Sequence, residues 1–262
     1  MRIRLNLSYD GSEFRGWQIQ PQGRTVQGEL EAALSQLYGG EDIRSYAAGR
    51  TDSGVHAVMQ VVHFDTVIER EEKVITKALN SLLPEDVRIW RSRVVEDDFH
   101  ARFSARGRLY AYRILRQPDL YLRRYGWSTD SVFHLERVLE ASGLFLGQHD
   151  FRAFSTQPDP DESTICDIRR IEWREDEYGW IMEIEADRFI RRLVRTITGA
   201  IVSLAAAKVE RESLERALQN GRGRVPPPAP PQGLALVKVR YESDDEFDVT
   251  PFSLWGTFHQ AE

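Results

Sequence analysis

Hydrophobic periodicity changes in the same order twice along this chain. Ile3, Leu5 and Leu7 alternate with Arg4, Asn6 and Ser8, the period-two pattern of a half-buried strand. Leu30, Ala33, Leu34 and Leu37 recur at helical spacing until Gly39-Gly40 ends the run. Strand-like pieces follow at 46–48 and 58–64. A helix through Val74, Ala78, Leu79 and Leu82 stops at Pro84, and residues 87–94 read as a strand. In the second half, 108–115 alternates, with Tyr110, Tyr112 and Ile114 on one face and Leu109, Ala111 and Leu115 on the other. Leu135, Val138 and Leu139 begin a helix, and 151–154, 168–174 and 180–186 read as strands. Phe189, Leu193, Ile197, Ile201 and Leu204 form an apolar stripe on a helix over 188–206. A short helix over 211–220 closes on Gly221, and five prolines with Gly223 make 222–232 a stiff loop. Leu234, Leu236, Val237 and Val239 form a last strand. Strand, helix, strand, strand, helix, repeated, points to an internal duplication and the α+β class. The boundary is expected near 101–107, giving domains 1–105 and 106–262.

With 262 residues and 41% hydrophobic content the chain can bury a sizeable core. It has no apolar run of the roughly 18 residues a membrane span needs. The alternating N-terminus lacks the apolar block of a signal peptide. The expectation is a soluble, cytoplasmic protein. Cys166, the single cysteine, allows neither an internal disulfide nor a zinc cluster, and reads as a small buried residue.

A net charge of −6 argues against nucleic-acid binding through overall charge but leaves room for a local basic face. Acid concentrates in 69–72, 159–162 and 242–248, whereas arginine crowds 102–124 and 188–195. Of 35 basic residues only Lys73, Lys77, Lys208 and Lys238 are lysine. Arginine forks suit phosphates and ring stacking; a GC-rich or heat-adapted genome produces the same bias.

The segment with the most chemistry is Gly49-Arg50-Thr51-Asp52-Ser53-Gly54-Val55-His56-Ala57, polar and turn-rich between two apolar strands. Asp52, beside Arg50 and two glycines, reads either as an ionised nucleophile or base, or as the cap of a hairpin turn. It does not stand alone. Tyr9-Asp10-Gly11-Ser12-x-Phe14-x-Gly16-Trp17-Gln18-x-Gln20-Pro21, Arg24-Thr25-Val26-Gln27, Gln60-Val61-Val62-His63-Phe64 and Asp98-Phe99-His100-Ala101-Arg102-Phe103-Ser104-Ala105 precede or follow it. Tyr110-x-Tyr112, His149-Asp150-Phe151-x-x-Phe154, Phe189-x-x-x-x-Val194-Arg195 and Pro230-x-x-Gly233-Leu234-x-Leu236 come later. In this order, from residue 9 to 236, the segments resemble the TruA-type tRNA pseudouridine synthases.

The resemblance implies two similar sheet-plus-helix halves, RRM- or ferredoxin-like, joined into one antiparallel sheet with a central RNA cleft. It implies isomerisation of uridine to pseudouridine at positions 38, 39 and 40 of the tRNA anticodon stem-loop, by a homodimer. That chemistry requires no cofactor and no metal, in keeping with a sequence that has no Walker loop, no dinucleotide fingerprint and no metal-ligand cluster. It implies that Asp52 is the catalytic aspartate, attacking C1′ or C6 or removing the C2′ proton, and that Arg195 pairs with it. Tyr110 is expected against the target base, where an isolated strand tyrosine would read as core. Leu234 is expected to line the uracil pocket, and Arg50 to contact the nucleotide's phosphate or sugar. The helix Arg191-Arg192-Leu193-Val194-Arg195-Thr196 departs mildly from the common pattern, where the family often has Met before the Val and Asn after the Arg.

Phe14, Arg15 and Trp17 read as RNA contacts or as loop anchors. His56, His63 and His100 have no common ligand spacing and read as structural or RNA-contacting. Candidate phosphate contacts are Arg15, Arg24, Arg50, Arg102, Arg106, Arg108, Arg191 and Arg192. Two other classes compete: a non-catalytic RNA-binding module, and an Asp-dependent nucleosidase or glycosidase. The hydrolase would usually need a second carboxylate, for which Asp10 and Asp150 are the candidates.

Overall fold

A computed structural model describes residues 1–129, 134–156, 163–242 and 255. Apart from Glu242 and Trp255, the acidic, aromatic tail lies outside the described residues. The chain divides into two units, Met1–Arg106 with Ala235–Glu262, and Gly107–Leu234.

In the first unit, β1 (Arg2–Tyr9), α1 (Val26–Leu37), β2 (Ser45–Ala47), β3 (His56–Asp65), α2 (Glu72–Leu82) and β4 (Val87–Val95) follow one another. Thr25 caps α1 by accepting a hydrogen bond from the Gly28 amide. β1 lies between antiparallel β3 and β4, with Ile3 opposite Phe64 and Val94. Helix α2 covers β4: the Asn80 side chain exchanges two 2.8 Å bonds with the Ile89 backbone, and Thr76 Oγ1 accepts from the Ser92 amide.

The alternation of β1 predicts one wet face, yet Arg4 and Asn6 are buried too. Asn6 accepts from Arg4 Nε and donates to Met59 Sδ, and Phe99 and Tyr241 cover Arg4. The Arg4 guanidinium lies over the Tyr241 ring at 4.5 Å and over Phe99 at 5.6 Å, so a charged side chain is accommodated as a stacked plane.

In the second unit, β5 (Gly107–Leu115), β6 (Trp127–Ser128), α3 (Leu135–Gly143), β7 (Gly147–Asp150), β8 (Ile165–Asp176) and β9 (Gly179–Ala186) precede α4 (Leu193–Ala205) and α5 (Arg211–Asn220). The sheet runs β5-β9-β8-β7, with β6 beside β5. Residues 151–154, expected as a strand, instead form a 3-10 turn over Arg152–Phe154, whose ring packs against Phe145 and Phe151. The expected helix over 188–206 begins only at Leu193. Arg192 has φ 63°, a left-handed conformation that breaks the helix and turns Phe189 edge-on against Tyr110, 5.2 Å away. Cys166 is fully buried, as a small apolar residue would be.

The last strand, β10 (Leu234–Arg240), departs from the expected order twice. Its residues from Ala235 onward belong to the first unit, so 106–262 is not one contiguous domain. It also pairs with β3 in parallel, Ala235 opposite His56 and Leu236 opposite Ala57, and β6 pairs with β5 in parallel. The expected all-antiparallel sheet is therefore mixed. A strand that arrives by a long connection is not held to a hairpin's direction.

Candidate active site

Asp52 sits on the loop between β2 and β3, and neighbouring elements hold that loop at several points. Gln60 Nε2 donates to the Gly49 carbonyl at 2.8 Å, and the Trp17 amide donates to the Thr51 carbonyl at 3.1 Å. The Gly54 amide and Ser53 Oγ both donate to the Phe14 carbonyl. The Val55 amide donates to the Asp52 carbonyl and closes the turn. Thr51 and Val55 are buried while Asp52 between them is half-buried.

Residues 10–24 wrap this loop so closely that two positions exclude a side chain. A Cβ on Gly11 would lie 2.0 Å from the Val55 carbonyl oxygen. One on Gly16, at φ +88°, would lie 2.7 Å from the Thr51 carbonyl oxygen. Phe14 and Trp17, each 2% exposed, are therefore anchors of the wrap. Arg24 fastens its far end. Its guanidinium grips Asp86 through bonds of 2.6 and 2.8 Å, reaches Glu29 and lies over the Phe14 ring at 4.3 Å.

Other sequence candidates fall into structural places. Asp10 caps a 3-10 turn by accepting from the Ser12 amide and lies 3.2 Å from His56 Nδ1. His56 is buried, accepts from the Gly11 amide and packs on Trp255. Asp150 accepts from the Arg152 amide and Thr164 Oγ1, bonds that lower its pKa. His63 and His100 lie 4.6 Å apart in a ring cluster with Tyr46 and Phe103. Among the described residues no three His, Cys, Asp or Glu side chains gather as a metal site.

In the second unit, Tyr110 is buried and Arg195 occupies the first turn of α4, half-buried. Arg195 Nε donates to the Ala229 carbonyl at 2.8 Å, and the Ala229 amide donates to the Arg195 carbonyl at 2.9 Å. Tyr112 Oη donates to the Pro230 carbonyl at 2.8 Å, and Gly233 lies against the Tyr112 ring. Burial pushes the Tyr112 phenol well up, with the Arg195 charge opposing it. Segment 229–233 thus ties Arg195 to the face of β5 that also bears Tyr110, and Leu234, 5% exposed, follows directly. The role of Tyr112 was carried in the sequence only by its place in Tyr-x-Tyr; its bond to Pro230 spans 118 residues.

Among the arginine candidates, Arg15, Arg50, Arg102, Arg191 and Arg192 are exposed. Arg106 bonds Glu242, and buried Arg108 donates to the Asp187 carbonyl.

Asp52 is thus a half-buried carboxylate on a tightly held loop of an α+β scaffold. A family model described as tRNA pseudouridine synthase matches residues 7–104 and 141–242. A Chlorobium limicola protein named tRNA pseudouridine synthase A is 41% identical over 241 residues, covering 91% of this chain and 99% of the relative. A Solidesulfovibrio magneticus protein of the same name is 42% identical over 252 residues, covering 92% of this chain and 91% of the relative. One from Chromobacterium violaceum is 39% identical over 253 residues, covering 95% of each. The chain belongs to the tRNA pseudouridine synthase family: it is an isomerase that forms pseudouridine in tRNA.

Proposed function

We propose that the uridines converted are those at positions 38, 39 and 40 of the anticodon stem-loop, that Asp52 is the nucleophile or base, and that the enzyme acts in the cytoplasm as a homodimer. The reaction breaks the C1′–N1 bond and forms a C1′–C5 bond. The C5 hydrogen leaves and N1 ends protonated, so composition is unchanged. An ionised carboxylate serves either role, and Arg195 is its cationic partner. Tyr110 meets the base, Leu234 lines its pocket and exposed Arg50 meets the sugar-phosphate.

The observation that carries this reading is the Asp52 loop itself, fixed at Gly49, Thr51, Ser53 and Gly54 while Asp52 stays half-buried. A turn cap alone would not call for such a scaffold. The hydrolase alternative loses its second carboxylate, since Asp10 and Asp150 serve local turns.

Unmodified tRNA incubated with the enzyme and mapped with carbodiimide should show pseudouridine at those three positions. Asp52→Asn should bind tRNA normally and lose at least ~10³-fold in rate, the scale of removing a nucleophile. Activity within about tenfold of wild type would remove Asp52 from the chemistry, and released free uracil would show hydrolysis.

A further inference from the structure

Beneath the Asp52 loop lies a buried polar trio that the isomerisation chemistry does not call on directly. Tyr9 ends β1, is 4% exposed and has its phenol pushed up to about 12 by burial, so it stays protonated at neutral pH. Its Oη lies 2.8 Å from Thr51 Oγ1, one residue before Asp52. Gln60, on the strand paired with β1, is 0% exposed and donates to the Gly49 carbonyl. The Tyr9 ring packs against Trp17, whose amide holds the Thr51 carbonyl.

We propose that Tyr9, Thr51 and Gln60 form a positioning clamp that sets the direction of the Asp52 carboxylate. None of the three needs to touch the substrate. Tyr9 stands on β1 and Gln60 on β3, so two paired strands fix both ends of the segment Gly49–Thr51, and Asp52 leaves it in a set direction. Backbone bonds alone hold the Thr51 carbonyl, but a peptide can pivot about one bond. The hydroxyl pair adds a second fixed point on the same residue. A buried hydroxyl that loses its partner favours a rearranged loop, because it must find another. Misplacement of a reacting group by about 1 Å costs on the order of 10²-fold in rate. The effect should fall on the chemical step and leave tRNA binding alone.

This inference rests on Asp52 as the reacting carboxylate. Its test is single-turnover pseudouridine formation at saturating tRNA, with tRNA affinity measured beside it. Tyr9→Phe keeps the ring and removes the hydroxyl. Thr51→Val keeps the shape, whereas Thr51→Ser keeps the hydroxyl. We expect Tyr9→Phe and Thr51→Val each to lose about tenfold or more in saturated rate with affinity within about twofold, Thr51→Ser to stay within about threefold of wild type, and the double variant to be no slower than the worse single one, as for a shared contact.

A full rate in Tyr9→Phe and Thr51→Val, an equal loss in Thr51→Ser and Thr51→Val, or multiplying losses in the double variant would overturn the clamp. If Tyr9→Phe does not fold, the two Thr51 variants decide the question. Asp52→Asn in the same assay separates the two failures. If it is active, the assignment of Asp52 falls; if it is inactive while the clamp variants run at full rate, only the clamp falls.

Discussion

Arg195 and Ala229 exchange reciprocal bonds, Arg195 Nε to the Ala229 carbonyl at 2.8 Å and the Ala229 amide to the Arg195 carbonyl at 2.9 Å. The guanidinium is therefore oriented by the backbone of the proline-rich segment before any substrate binds. With Nε committed, the plane of the fork is set, which a lysine ammonium cannot reproduce.

Arg195→Ala should lower the single-turnover rate at saturating tRNA, and Arg195→Lys should restore only part of it. The salt dependence of tRNA affinity should hardly change. A variant that keeps the saturated rate while its log–log salt slope flattens by about 0.7–0.9 would make Arg195 a phosphate contact.

Tyr110 is buried edge-on against Phe189, so its ring and its hydroxyl can be tested apart. Tyr110→Phe keeps the ring packing and should retain tRNA affinity, losing only what the hydroxyl contributes to the rate. Tyr110→Ala should lose both and melt lower, since truncating a buried aromatic costs about 3–5 kcal/mol. Equal single-turnover rates for wild type and Tyr110→Ala would remove Tyr110 from the reaction.

Arg24 and Arg50 should part company although both lie in motif segments. Arg24 is held by Asp86, Glu29 and the Phe14 ring, whereas Arg50 is exposed. Arg24→Gln should lower the melting temperature by a few degrees and leave the salt slope of tRNA binding unchanged. Arg50→Gln should leave melting unchanged and flatten the slope by about 0.7–0.9. Reversed outcomes would exchange the two roles.

His63 gives the first unit a pH dependence. Its pKa is lowered to about 4 by burial first, then by the charges of His100 and Arg2, with Asp65 and a hydrogen bond to the Tyr46 backbone opposing. The unfolded side chain titrates near 6.5, so the unfolded state takes up a proton first as pH falls. The contribution of neutral His63 is thus whole above about pH 6.5, shrinks as pH drops toward 4, and changes no further below that. Melting temperature should fall between pH 7 and 5 in wild type and fall less in His63→Gln, whose side chain can still accept from the Ala101 amide. Equal slopes would place the acid sensitivity elsewhere.

Local periodicity made most strands and helices legible, because alternation and 3.6-residue spacing are properties of neighbouring residues. It could not see the break at Arg192, where an apolar stripe continues through a left-handed residue, nor the 3-10 turn at Arg152–Phe154, where aromatic packing overrides strand propensity. It misjudged β1, because whether Arg4 meets water depends on Tyr241, more than two hundred residues away.

Ordered motifs from residue 9 to 236 were enough to give the family and to point to Asp52. Two runs of changing period also set the α+β character. The folded chain was needed to see that Arg24 is a strut, that Arg195 is oriented by Ala229, that β10 runs parallel to β3, and that Tyr9 and Gln60 stand beneath the Asp52 loop. The reason is physical. An arginine reads alike whether it faces a phosphate or Asp86, and its role is set by which partners the folded chain brings within about 3 Å, over sequence separations that no local pattern encodes.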